Sequence, residues 1–156
     1  MSDPQTRLIL MDVSDREVAA EVLELQRQSY GVEARLISSN EIPPLHESLD
    51  QLRGCGETFL GLLAEGRLVG FVSWKLETTT VDLHRLVVSP ARFRRGYGSA
   101  LVRAALEANP DAERAVVQTG AANTPAKALY IREGFTFTDE IEPSPGLRIA
   151  RFSKTF

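Results

Sequence analysis

From Ser89 to Ala100 the chain reads Ser-Pro-Ala-Arg-Phe-Arg-Arg-Gly-Tyr-Gly-Ser-Ala, directly after the apolar run Leu86-Val87-Val88 and directly before Leu101. A strand ends, a loop with three arginines follows, and a helix starts. Gly96 and Gly98 lack a Cβ, so a ligand can approach the backbone there. The unpaired amides of a helix start point into the same space, and the helix dipole favours an anion. Arg94 and Arg95 add fixed positive charge suited to phosphate oxygens. The chemistry this pattern offers is the cradling of a diphosphate. A nucleoside-triphosphate loop is excluded, because no Gly-Lys-Ser/Thr tripeptide exists. A dinucleotide fingerprint is excluded too, because Leu101 stands where its third glycine belongs. Taken alone, Gly96-x-Gly98 also fits a tight strand–helix connection.

The second chemical segment is Asn123-Thr124-Pro125-Ala126-Lys127-Ala128-Leu129-Tyr130-Ile131-Arg132-Glu133-Gly134-Phe135. Thr124 in the N-cap place and Pro125 at the first helical position predict a helix that Gly134 closes. Ala126, Leu129 and Tyr130 then share one face, which turns the phenol toward the sheet. A buried tyrosine whose hydroxyl finds a backbone partner fits the same spacing. For proton removal the candidates are Asp82 and His84, which share a parity along their strand, and Glu77 just before it. Surface or structural roles fit each of these three as well. Cys55, the one cysteine, lies nine residues after His46, yet a lone thiol between Gly54 and Gly56 reads as a small loop residue. No His, Cys and carboxylate spacing matches a zinc site, so no metal is expected.

The elements that must hold these residues follow from composition and period. The 156 residues are close to one average domain, so a single domain over 1–156 is expected. Apolar residues make up 43% and charged residues 25%, which excludes a disordered or fibrous chain. The net charge of −3 argues against a phosphate-backbone binder, so no nucleic-acid partner is expected. One cysteine excludes an intrachain disulfide scaffold and fits a reducing compartment. The start lacks the basic and apolar regions of a signal peptide, and the apolar stretch around Leu68 to Trp74 is too short to span a membrane. A cytoplasmic protein without a membrane partner is the expectation, with a homodimer left open.

Arg7 to Met11 reads as a strand, and Ser14-Asp15-Arg16-Glu17 has capping-box form. Val18, Val22 and Leu25 form one helical stripe, with a stop near Gly31. Residues 32–56 read as irregular, broken at Pro43-Pro44, with a short helical pattern over Leu45 to Arg53. Thr58–Ala64, Glu65-Gly66-Arg67 and Leu68–Leu76 form strand, turn and strand, with Gly66 supplying positive φ. Phe71 and Trp74 differ in parity, which puts one in the core and the other at a cleft or surface. A third strand, Val81–Val88, ends at Pro90. Then come a helix over Ser99–Asn109, a buried strand over Ala115–Gln118, the Pro125–Glu133 helix, and strands at Phe135–Phe137 and Leu147–Phe152. A meander followed by strand-helix-strand order implies a mixed, mostly antiparallel sheet with helices on its faces, an α/β (α+β) fold.

The two segments in this order resemble the GNAT superfamily of N-acetyltransferases. Its signature is a strand with a Pro near its end, Gln/Arg-x-x-Gly-x-Gly/Ala entering a helix, and later Asn-x-x-Ala-x-x-x-Tyr-x-x-x-Gly-Phe. Here Asn123, Ala126, Tyr130, Gly134 and Phe135 fill the later motif. Phe93 departs from the earlier one, standing where Gln or Arg belongs three residues before Gly96, with Arg94 and Arg95 beside it. The resemblance implies acetyl-CoA as co-substrate, lying between splayed strands Val81–Val88 and Ala115–Gln118. It implies a diphosphate on Arg94, Arg95, Gly96, Tyr97, Gly98 and Ser99, an arm paired with backbone groups of Leu86, Val87 and Val88, and a hydrogen bond from Asn123. It implies direct attack by a small-molecule or peptide amine, with Tyr130 protonating the departing thiolate and no covalent enzyme intermediate. It places acceptor binding on residues 28–56 and on late-strand loops such as Glu140 to Gly146. A non-catalytic acyl-CoA-binding domain and a transferase of longer acyl groups are the alternatives.

Overall fold

The computed structural model describes residues 6–37, 47–92 and 96–156. Arg94, Arg95, Phe93 and His46 lie outside the described residues, as do the chain start and Pro43-Pro44. Seven strands form one sheet: β1 (Thr6–Met11), β2 (Thr58–Ala64), β3 (Arg67–Glu77), β4 (Thr80–Val88), β5 (Arg114–Gly120), β6 (Thr136–Ser144) and β7 (Leu147–Thr155). Their order is β1-β2-β3-β4-β5-β7-β6. The β4–β5 pairing is parallel and the other neighbours are antiparallel, as a meander followed by one helical crossover requires. The β2–β3 hairpin turns on two residues, Glu65 (φ 53°) and Gly66 (φ 78°), the pair of positive angles that matches strand twist.

Among the described residues, four α-helices cover the two faces. On one side α1 (Arg16–Ile37) and α2 (Leu49–Arg53) bury Ala19, Val22, Leu25 and Leu52 against Phe59, Phe71 and Val87. On the other, α3 (Tyr97–Glu107) and α4 (Thr124–Arg132) bury Leu101, Val102, Ala105 and Tyr130 against Val72, Trp74, Leu83 and Phe152. Phe71 and Trp74 do face opposite ways, but both are core residues; neither lines a surface or cleft.

Several boundaries differ from the sequence reading. The box at Ser14 does not form, because its hydroxyl donates to Asp12 at 2.6 Å. Asp15 caps α1 instead, its Oδ1 accepting from the amides of Glu17 at 2.9 Å and Val18 at 3.2 Å, where a carboxylate also suits the helix dipole. A capping box does exist at α2, between Ser48 and Gln51. α1 runs through Gly31 to Ile37; one glycine costs a helix only about 1 kcal/mol, and Glu33-Ala34-Arg35-Leu36 are good helix formers. α3 starts at Tyr97, two residues early, because Gly96 adopts φ 77° and turns the chain at once into the helix. β6 is three times the expected length, so Glu140–Ser144 is strand; only Pro145-Gly146 forms the turn.

Candidate active site

The feature that organises the site is a bulge in β4. Trp74 pairs with Leu83 but its neighbour Ser73 pairs with Arg85, so His84 is the extra residue. Before the bulge Val81 and Leu83 face the α3 side; after it Leu86 and Val88 do, while Arg85 and Val87 turn to the α1 side. The bulge also bends β4 away from β5. Their parallel pairing runs from Thr80–Arg114 to Leu83–Val117 and stops there. β4 continues on β3 as far as Val88–Gly70, and β5 continues on β7 as far as Gly120–Ile149. A wedge therefore opens between His84–Val88 and Gln118–Gly120, with the backbone of Leu86, Val87 and Val88 along one wall.

At the open end of the wedge lies the start of α3. Gly96 is its N-cap and offers no side chain, so among the described residues nothing caps the amides of Tyr97, Gly98 and Ser99. Space in front of Gly96 is open, whereas a Cβ on Gly98 would sit 2.7 Å from Leu129. Gly96 thus serves the turn and its access, and Gly98 serves the close packing of α3 on α4. Tyr97 and Ser99 reach this end through their backbone only. The Tyr97 ring is in the core, and the Ser99 hydroxyl accepts from Arg132 at 3.3 Å.

Across the wedge, Asn123 rather than Thr124 caps α4, its Oδ1 accepting from Ala126 N–H at 3.2 Å. Thr124 and Pro125 occupy the first two helical positions. Tyr130 faces the sheet as its spacing predicts and is only 4% exposed. Its ring packs 5.7 Å from Phe135 and 5.9 Å from Phe152. Gly134, at φ 93°, lets the chain turn so that Phe135 N–H donates back to the Tyr130 carbonyl at 2.9 Å.

On the α1 side the bulge creates a cluster that strand alternation misses. Arg85, 7% exposed, donates to Glu57 through Nε at 2.9 Å and Nη2 at 3.0 Å. It donates to Glu47 at 2.5 and 2.9 Å and to fully buried Gln26 at 2.9 Å. Ser73 adds a 2.6 Å hydrogen bond to Glu57. Burial alone would raise the Glu57 pKa, but hydrogen bonds from His84, Arg85 and Ser73 outweigh it and hold the carboxyl well below the usual range. His84 sits between two carboxylates, Nδ1 3.5 Å from Glu57 and Nε2 3.3 Å from Asp82. Interaction with Glu57 leads, and against the cost of burial the imidazole pKa is raised. The visible signal was an arginine inside the apolar run Leu83 to Val88; its burial depended on the unseen bulge. Glu77 lies at the exposed end of β3, away from this cluster. Burial pushes the Cys55 thiol up, which is the wrong direction for a nucleophile.

Beside the wedge, a cavity of about 440 Å³ opens on the α1 side, lined by Asp82, Val116, Gln118, Asp139 and Arg151 among others. Asp139 accepts both prongs of Arg151, at 2.7 and 2.5 Å. No group of three His, Cys, Asp or Glu side chains among the described residues is arranged to hold a metal ion. No helix among them is long and apolar enough to cross a membrane.

The wedge between the parallel strands is thus set above an uncapped helix start. The profile of the acetyltransferase (GNAT) family matches residues 19–135. The chain belongs to the GNAT acetyltransferase family. Among curated relatives, the UPF0157 protein YqkA of Bacillus subtilis is 34% identical over 86% of this chain. A mycothiol acetyltransferase of Clavibacter sepedonicus is 40% identical over 46% of it. The chain spans only 39% and 24% of those two proteins. Among solved structures, PaiA N-acetyltransferase of Thermoplasma acidophilum in complex with coenzyme A superposes with a TM-score of 0.75. It is 19% identical, with both chains fully covered. The ribosomal-protein-S18-alanine N-acetyltransferase of Escherichia coli gives 0.75 at 15% identity, covering 96% of this chain and 93% of that one. These likenesses establish the GNAT fold: a mostly antiparallel seven-stranded sheet with helices on both faces.

Proposed function

We propose that this GNAT chain is an acetyl-CoA-dependent N-acetyltransferase acting on a small-molecule or peptide amine. The observation that carries the reading is the wedge between β4 and β5 opening onto the uncapped amides of α3. A thioester arm fits a slot whose walls are unpaired strand edges, because those edges need hydrogen-bond partners. A diphosphate fits the helix start, where about half a positive charge is focused and Gly96 leaves room. Acetyl-CoA supplies an activated acetyl group; the chain's residues bind and orient it.

In this reading the amides of Gly96, Tyr97, Gly98 and Ser99, with Arg94 and Arg95, hold the diphosphate. Backbone groups of Leu86, Val87 and Val88 hold the arm and the acetyl carbonyl. Asn123 engages its Oδ1 in the helix cap, so its amide nitrogen is the group left for the arm. Tyr130 is the general acid for the departing thiolate. Its apolar surround of Phe135 and Phe152 keeps water from the proton transfer. On the amine side His84 takes the proton, with Glu57 orienting it. Its raised pKa makes it a stronger base toward an alkylamine than an unperturbed imidazole. The half-buried carboxylate of Asp82 and the acidic balance favour a cationic acceptor.

Stopped assays of CoA release with a panel of amines test the reading. Release that depends on an amine and saturates in acetyl-CoA is the expected result. Acetyl-CoA binding with no release from any amine would instead mark a non-catalytic acyl-CoA-binding domain.

A further inference from the structure

Alternation along β5 sends Ala115 and Val117 into the α3-side core and leaves Arg114, Val116 and Gln118 on the opposite face. α1 packs over β3 and β4, and these three β5 residues line the cavity beside it, with Asp82, Asp139 and Arg151. The cavity joins the wedge at Gln118, the first β5 residue beyond the last β4–β5 pair, Leu83–Val117. Asp82, in the same wall, stands 3.3 Å from His84 Nε2, so the cavity reaches the amine-side residues. Its charges are unevenly matched. Asp139 and Arg151 satisfy each other as a two-pronged pair, and Asp82 faces His84. Glu113, next to Arg114 in the chain, accepts from the Thr79 hydroxyl at 3.3 Å. Among the described residues the exposed Arg114 guanidinium has no ion pair and no side-chain hydrogen bond.

We propose that the acceptor is an amine that also carries an anionic group, a carboxylate or a phosphate, and that Arg114 binds that group. The assignment deepens the N-acetyltransferase reading above and rests on it. Asp82 attracts the ammonium at the wedge end, and Arg114 attracts the anion at the far end, so the acceptor lies in one direction along β5. From Val117 to Arg114 is roughly 10 Å of strand, a span suited to an amine about five methylenes from its anion once the arginine side chain bends toward it. A guanidinium matches either oxyanion with a planar fork. An amine with an apolar tail leaves Arg114 in water, and a diamine sets like charge against it.

Initial rates of acetyl transfer by the full chain test the assignment with matched amines: 6-aminohexanoate, 5-aminopentyl phosphate, n-hexylamine and 1,6-diaminohexane. The parent protein is expected to favour an anionic amine over hexylamine, with diaminohexane last; the better of the two anionic amines identifies carboxylate or phosphate. Arg114→Gln should raise KM for that amine about fivefold, the scale of one exposed ion pair, with kcat unchanged and hexylamine within twofold. Arg114→Glu should reverse the order and favour diaminohexane. Arg67→Gln, exposed at the β2–β3 turn, should change none of these rates and controls for overall charge. A parent protein indifferent to the tail charge, or a preference for the anionic amine that survives in Arg114→Glu, overturns the Arg114 assignment alone. So does a parent inert toward all four amines but active on others of the wider panel. A parent that transfers acetyl to no amine overturns the N-acetyltransferase reading itself.

Discussion

The two faces of the sheet meet at β4 and solve opposite problems. On the α3 face the strand contributes Leu83, Leu86 and Val88 to a dry apolar cluster, and the polarity offered is backbone: three helix amides and a free strand edge. On the α1 face the same strand contributes buried Arg85 and the more exposed His84 to a network of side chains that joins α1, the residue before β2 and the residue before the α2 cap. One inserted residue produces both. The bulge at His84 parts β4 from β5 and reverses the facing of everything after it. Binding through backbone needs an opening that side chains do not fill, whereas fixing an amine-side wall needs polar groups that satisfy one another. A single irregularity supplies the two together.

The comparison is broken most severely at Tyr130. Tyr130→Phe is expected to lower single-turnover acetyl transfer about 10²–10⁴-fold while acetyl-CoA affinity stays nearly constant. Unchanged turnover would remove the phenol from the chemistry. On the other face, Arg85→Met leaves Glu57 and Glu47 without their shared cation and is expected to cost about 3–5 kcal/mol in urea unfolding. Adding Glu57→Gln should recover part of that loss, since the remaining uncompensated charge is then halved. A loss below 1 kcal/mol would show the network to be solvated. Leu101→Ala tests the dry face by the same measurement, with about 2–5 kcal/mol expected for a fully buried leucine. Asn123→Ala should cost about 1 kcal/mol through its cap.

The smallest effects are in pH. The folded pKa of His84 is raised, so its contribution to stability is complete below the unfolded value near 6.5 and is lost as pH climbs through the folded value. Glu57 is depressed, so its contribution is present above its unfolded value near 4.5 and is lost as pH falls below it. His84→Gln should flatten the alkaline loss and leave the acid one. The same substitution should remove an acid limb from amine-dependent turnover that lies above pH 6.5. A turnover profile identical to the parent's would exclude His84 as the base.

Much of this was legible in the chain itself. The meander, the parallel crossover and the α3 and α4 helices follow from period and from Gly and Pro placement. Asn123, Tyr130 and Gly134 stand at helical spacings that put the phenol on the sheet side, where it is found. The misses share a cause. Strand alternation is a two-state count, and one extra residue inverts it without leaving a composition signal, so Arg85 was hidden behind its own parity. Likewise Ser14 and Thr124 are good caps by type, but Asp15 and Asn123 are better acceptors one residue away. Competition between neighbours is decided by geometry that the local sequence does not contain. The extent of β6 escaped for a further reason, since Thr136–Ser144 carries acidic residues and Pro143 that weaken any strand pattern.

The central claim is that the parted edge of β4 and the bare start of α3 receive one molecule of acetyl-CoA. Residue-resolved amide hydrogen exchange, with and without saturating acetyl-CoA, reads those groups directly. The account predicts slowed exchange at Tyr97, Gly98 and Ser99 and along Leu86 to Val88, with α1 and β1 unchanged. Exchange that stays the same at both places, while the protein is otherwise folded, would contradict it.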